Sequence, residues 1–181
     1  LSLILTIVTV IIMTGFTFYI VEDRSSKLDE MILSKGIASA RTGAVVYGVI
    51  LETAVEHDVF TVDEVFDFTL EPVSLPGKIL KDYETISDDE RSSVMKYRYK
   101  TDLDSYLDGS ILEIEDEFLK DPQIRFAVGV DKNGYLPTHN TVYSKPLTGD
   151  FIFDRDNNRT KRIFNDPVGL KAAQNVNEPY L

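Results

Sequence analysis

Ile124-Arg-Phe-Ala-Val-Gly-Val130, Asp131-Lys-Asn-Gly134 and Tyr135-Leu136 follow one another without a gap in the second half of the chain. The first of these is a nearly continuous apolar run, the pattern of a central strand covered on both faces. The second is a hairpin turn, because Asn-Gly accepts the positive φ angles that tight turns require. Tyr135-Leu136 begins the returning strand, and Pro137 limits its pairing. A lone two-stranded hairpin is marginal in water, so further strands are expected beyond Leu181. With Leu rather than Met at position 1, the sequence reads as a fragment.

Upstream of this core, Thr101 to Lys120 reads as one amphipathic helix. Leu103, Leu107, Ile111, Ile114 and Phe118 share a stripe, Asp102 and Asp104 favour the N-terminus, and Asp121-Pro122 ends it. Glu113, Glu115, Asp116 and Glu117 fall mostly off that stripe and are expected on a solvated face. Residues 57–95 are irregular and acidic, broken by Pro72, Pro76 and Gly77. Within them, Thr61-Val-Asp-Glu64 and Ser87-Asp-Asp-Glu90 carry the capping-box signature of short helices. Residues 52–121 hold 20 acidic and 7 basic side chains, dispersed without the alternation of a calcium loop.

Before that, Glu22 to about His57 is free of Pro and reads as one long helix. Gly36, Ala40, Ala44 and Gly48 form a row of small residues, with Ser39 and Gly43 beginning another. Such rows allow close approach, either of the helix to its own domain or of two helices in a parallel dimer stalk. Leu1 to Val21 carry no charge. As a helix they span about 31 Å, enough for a bilayer core. Lacking a basic start and a small-x-small cleavage site, they read as a transmembrane helix rather than a secretion signal. Phe16, Phe18 and Tyr19 are expected at its outer interface. The acidic region that follows suits the extracytoplasmic side.

Downstream, Pro146, Gly149 and Asp154 to Asn158 mark loops, and Arg159 to Phe164 are expected as one or two helical turns capped by Asn158. Asp166-Pro167 opens a helix through Val168, Leu170 and Ala173 that ends near Asn175. Glu178-Pro-Tyr-Leu181 reads as the start of another strand.

The 181 residues include 30 acidic and 19 basic ones, a net charge of −11 that argues against nucleic-acid binding. There is no Cys, so disulfides, thiolate metal sites and thioether-linked haem are excluded, and two His leave little for a histidine-rich metal site. No nucleophile elbow, P-loop or dinucleotide fingerprint is present, and neither an enzyme nor a cofactor is expected.

The run Phe126-Ala-Val-Gly-Val-Asp-Lys-Asn-Gly-Tyr-Leu-Pro-Thr-His-Asn140, with Tyr143-Ser144, Pro146-Leu-Thr-Gly-Asp150 and Asn158-Arg-Thr-Lys-Arg-Ile-Phe-Asn-Asp166, resembles the extracytoplasmic sensor region of bacterial methyl-accepting chemotaxis proteins. The resemblance covers residues 97–177 closely and the N-terminal helices by layout only; residues 78–96 fit it poorly and are expected to be an insertion. It implies an α+β architecture: a transmembrane helix (1–21), a long helix or stalk (22–58) and a truncated PAS-like, Cache-type antiparallel-sheet sensor domain (59–181). It further implies a homodimer in the inner membrane of a bacterium, with the sensor periplasmic and a second membrane helix, a HAMP linker and a signalling coiled coil to follow. Cytoplasmic chemotaxis signalling proteins would be its partners. The alternatives are the sensor of a histidine kinase or diguanylate cyclase, or a membrane-tethered interaction module without a small ligand.

Within this acidic chain, residues 150–171 hold five basic and four acidic side chains. A guanidinium beside backbone N–H groups suits a carboxylate or phosphate. One reading is an anionic small ligand held by Arg159, Lys161 or Arg162, with Tyr135, His139, Asn140 and Tyr143 completing the wall. The other is that Asp150, Asp154, Asp156 and Asp166 pair with these cations and pin a long loop. Both stay open on sequence alone.

Overall fold

The computed structural model describes residues 2–175, so the expected strand start at 178–181 lies outside the described residues. The fold mixes helices with small antiparallel sheets and begins, in sequence, with one long apolar helix, α1 (Ser2–Glu56). The two helical segments expected at 1–21 and 22–58 form this single helix. The chain divides into two units, Leu1–Ala38 and Ser39–Leu181.

In the first unit the apolar side chains from Leu3 to Val21 are exposed apart from a half-buried Ile20, and the helix is long and apolar enough to cross a membrane. The hydroxyls of Thr6 and Thr9 donate to the carbonyls of Ser2 and Leu5, which satisfies them without water.

In the second unit, Ala54 from the end of α1 packs with Phe60, with Val65 of α2 (Val62–Val65) and with Tyr99 of β2 (Lys96–Tyr99). Leu103 and Leu107 of α5 (Leu103–Ser110), Ile111 and Tyr135 complete that core. A second cluster joins Leu75, Ile79 of α3 (Gly77–Asp82), Tyr83, Val94 and Phe151 of α7 (Phe151–Asn157). β1 (Leu70–Val73) pairs antiparallel with β2, and β3 (Tyr135–Leu136) with β4 (Arg162–Ile163). The Tyr97 N–H donates to the Lys161 carbonyl and the Lys161 N–H to the Leu136 carbonyl. The two ribbons therefore meet in the order β1, β2, β4, β3.

Local chemistry explains the capped elements. Thr61 and Glu64 exchange both bonds of a capping box at α2. Ser87 accepts from the Glu90 N–H at the start of α4 (Asp88–Ser92). The Gly169 N–H donates to Asp166 beside α8 (Pro167–Ala173). The turn at 131–134 is present: the Gly134 N–H donates to the Asp131 carbonyl, and Gly134 has φ +79°.

Three elements differ from expectation. Residues 124–130 form no strand, because the Ala127 N–H is taken by the Asn140 side chain and the Gly129 N–H by Glu115. β3 pairs with β4 instead. The helix expected over 101–120 breaks after Gly109-Ser110, both poor helix formers, into α5 and α6 (Leu112–Phe118). Arg159 to Phe164 is not helical. The helix lies upstream as α7, capped by Asp150, and Asn158 stands at its C-terminal end rather than opening a helix.

Against α1 the close approach is made from Gly129, where a Cβ would land on the Tyr47 ring; of the small residues on α1 itself, Gly43 meets Phe118 at ordinary contact distance and Gly48 meets open space. Gly129→Ala is expected to lower stability by about 2 kcal/mol through overpacking. Gly48→Ala should leave it unchanged or raise it by up to about 1 kcal/mol through helix propensity. Urea unfolding of the chain in detergent, followed by circular dichroism, measures both.

Candidate functional site

Three of the four carboxylates buried among the described residues, all but Asp131 of the 131–134 turn, brace one helix each in the second unit. Asp104, on α5, accepts from the Tyr99 N–H at 2.6 Å and the Tyr135 hydroxyl at 2.7 Å, and lies 3.3 Å from Lys161 Nζ. Lys161 also pairs with Asp108 at 2.9 Å. Its backbone has φ +59°, a left-handed conformation that L-residues avoid; the strand bonds on either side of it and the ion pairs hold it there. Asp154, on α7, is fully buried and accepts from the Tyr83 hydroxyl at 2.6 Å and from Thr148 and Gly149. Burial alone would raise its carboxyl, but the bonds from Tyr83, Thr148 and Gly149 outweigh it and hold the group low.

Glu115 is the third. It is 3% exposed, which corrects the expectation that it belongs to a solvated face. Its Oε1 accepts from Tyr47 of α1 at 2.9 Å, from Thr138 at 2.8 Å and from the Gly129 N–H at 3.1 Å, while Oε2 has no partner. Asn140 donates to the Glu115 carbonyl at 2.7 Å, and its neighbour Thr141 is held by Asp116. Burial raises the Glu115 carboxyl above the usual range. The spacing contains a signal for this placement: Leu107, Ile111, Glu115 and Phe118 are separated by four, four and three residues, which puts Glu115 on the buried stripe.

The basic cluster is arranged differently. Lys96 is 7% exposed, and its Nζ donates to the carbonyls of Asn158 at 3.0 Å and Thr160 at 2.8 Å. Arg162, also 7% exposed, donates through Nη1 to the Arg155 carbonyl at 2.8 Å, and its Nε has no partner. The guanidiniums of Arg159 and Arg162 both face the Phe164 ring, at 5.1 and 4.9 Å, and Arg159 also faces Tyr143. His139 packs on Tyr143 at 4.9 Å, with Nδ1 buried and unpartnered. Burial and then the Arg162 charge bring Lys96 down to about 7. Burial, then Arg159 and Arg162, bring His139 down to about 4.

The seven residues singled out by sequence thus occupy three places. Tyr135 and Lys161 serve the Asp104 network, and Asn140 braces Glu115. His139, Tyr143, Arg159 and Arg162 form a chain of ring contacts: His139 packs on Tyr143, Arg159 spans Tyr143 and Phe164, and Arg162 faces Phe164. The carboxylates expected to neutralise the cations do so only at Arg155–Asp156 among the described residues; Lys161 uses Asp104 and Asp108 instead. Lys96 escaped sequence reasoning because it lies in Lys-Tyr-Arg-Tyr99, an alternating stretch in which Lys reads as solvent-facing.

The fold holds His139 neutral, so its stabilisation is present above the unfolded value of about 6.5 and is lost as pH falls toward about 4. His139→Gln is expected to flatten the fall of Tm over that window. Glu115 has the opposite sign: its raised carboxyl stabilises most at low pH and loses that contribution as pH rises through the folded value. Glu115→Gln should therefore gain on the wild type toward alkaline pH. Thermal unfolding as a function of pH checks both slopes.

Comparison with known proteins adds no relative: no family model, no curated protein and no solved structure matches the chain.

Proposed function

We propose that this chain is the ligand-sensing extracytoplasmic region of a membrane-anchored bacterial receptor of the methyl-accepting chemotaxis type, its second unit being a PAS-like, Cache-type sensor. The observation that carries the reading is one helix with two roles. α1 begins with an uncharged apolar stretch fit to cross a membrane and later donates Tyr47 to the buried carboxylate of Glu115. A ligand that favours one packing of the sensor on this helix over another would displace the helix, since a ligand binding both equally shifts nothing. The role is recognition and transmission, without catalysis.

A homodimer belongs to the same reading. Val45 and Val49 are exposed on α1, next to an apolar groove of about 370 Å³ lined by Gly48, Leu51, Val55, Val62, Val65 and Phe66. A second copy anchored in the same membrane would reach this face at high effective concentration. The same groove favours a second reading, in which the unit is a tethered interaction module that needs no small ligand.

Two measurements separate these. With no native Cys, Val45→Cys is expected to form disulfide-linked dimers in membranes, while Lys132→Cys, also exposed, does not. A thermal-shift screen of the full chain in nanodiscs against small metabolites is expected to give a ligand that raises Tm and changes the Val45→Cys cross-linking rate. A well-folded chain that cross-links at Val45 but meets no ligand would transfer the proposal to the interaction module.

A further inference from the structure

We propose that Arg162, with Lys96 and Arg159 beside it, binds a compact carboxylate through the edge of its guanidinium formed by Nε and Nη2. This deepens the sensor reading and rests on it for the ligand's purpose, but it stands on its own geometry.

Arginine binds a carboxylate best along one edge, with two parallel N–H groups meeting two oxygens. In Arg162 the contacts to the Arg155 and Asn158 carbonyls are both made by Nη1. The Phe164 ring covers one face. What remains is the Nε edge, and Nε is buried without a partner. A buried donor left unsatisfied is costly, so this atom calls for an acceptor.

The charges around it ask for the same thing. Lys96 and Arg162 are both more than nine-tenths buried and share the Asn158 carbonyl. No carboxylate lies within salt-bridge distance of Lys96, Arg159 or Arg162 among the described residues. The nearest buried acid, Asp154, already has both oxygens engaged by Tyr83, Thr148 and Gly149. A chain with a net charge of −11 thus leaves three cations gathered against one occupied carboxylate. Removing two charges from water without a counter-ion is unfavourable, and an incoming anion would supply it. Two further buried polar atoms nearby lack partners, His139 Nδ1 and Asn158 Oδ1. These suit the amino or hydroxyl group that commonly accompanies a metabolic carboxylate.

A proton accompanies binding. Lys96 faces Arg162 on β4, Asp154 on α7 and the imidazole of His139, and it is bonded only to carbonyls. Its charge is lost near pH 7, so affinity for an anion should fall as pH rises through that value.

The experiment uses the full chain in nanodiscs, with sodium acetate, succinate and inorganic phosphate as probes against sodium chloride at equal ionic strength. Acetate or succinate is expected to raise Tm and to bind by calorimetry, more tightly at pH 6 than at pH 8. Arg162→Gln should weaken binding by about 10-fold or more. Arg159→Gln, on a half-exposed side chain, should weaken it less, and Lys96→Met should weaken it and abolish the pH step. Circular dichroism establishes that each variant is folded; were Arg162→Gln to unfold, the other two carry the test. The proposal is overturned if neither carboxylate stabilises beyond chloride, if phosphate binds more tightly than both, or if folded variants bind as the wild type does. If carboxylates fail while another metabolite raises Tm, this site is wrong and the sensor reading survives. If no metabolite binds, both fall.

Discussion

A carboxylate removed from water must be surrounded by donors, and this requirement shapes the second unit alongside its two hydrophobic clusters. The strands are four, four, two and two residues long, too short to hold together by ladder bonds alone. Asp104, Glu115 and Asp154 do what longer strands would otherwise do. Asp104 ties α5 to β2, β3 and Lys161. Glu115 ties α6 to α1, to Gly129 and to Thr138. Asp154 ties α7 to Tyr83 and the 148–149 loop. Each gathers segments far apart in sequence, and substituting any one would strand several donors at once.

The same arrangement explains why the cations are left over. Among the described residues only Lys161 finds a buried acid, because Asp104 faces the strand junction where Lys161 sits. Glu115 is filled by neutral donors on one oxygen and meets no cation among the described residues. Asp154 is filled by a hydroxyl and backbone groups. Lys96 and Arg162 are consequently held by carbonyl dipoles, which satisfy individual N–H groups but do not neutralise charge. The disposition that stabilises the fold creates the positive centre in an acidic chain.

What could be read from the sequence was mostly local. The box at Thr61–Glu64, the Asn133-Gly134 turn and the helix after Asp166-Pro167 each depend on residues within a few positions of one another, and each is present. The uncharged stretch at the start of α1 was equally legible. Long-range choices were not. Ile124–Val130 has the composition of a buried strand, yet its N–H groups go to Asn140 and Glu115, partners that no local pattern reveals. The acidic residues 113–117 look uniformly wet, although helical spacing separates Glu115 from Glu113 and Glu117. The Arg159–Phe164 segment carries helix-compatible residues, but β3 offered it an antiparallel partner and Asp104 a lysine site, and tertiary pairing overrode propensity. Within the candidate site, the Arg pair was visible as a break in the acidic background, whereas Lys96 joins it only through the meeting of β2 and β4.

The distance between the positive centre and α1 is short along the backbone. Thr138 and His139 are consecutive: the first donates to the carboxylate that also receives Tyr47, and the second packs on Tyr143 beside Arg159. Neither has room to move alone, since both are almost completely buried and interiors of this kind switch between packings rather than deform smoothly. On the proposed reading, an anion that draws Arg162 toward it alters the surroundings of His139. The preceding residue, Thr138, bears on the α1–Glu115 bond. Transmission then requires two packings of one dipeptide, biased by charge on one side and by the orphaned oxygen of Glu115 on the other. That oxygen matters because a lock with every bond satisfied would have a single deep minimum. On that reading Oε2, buried without a partner, is the acceptor left for the donors of a second packing.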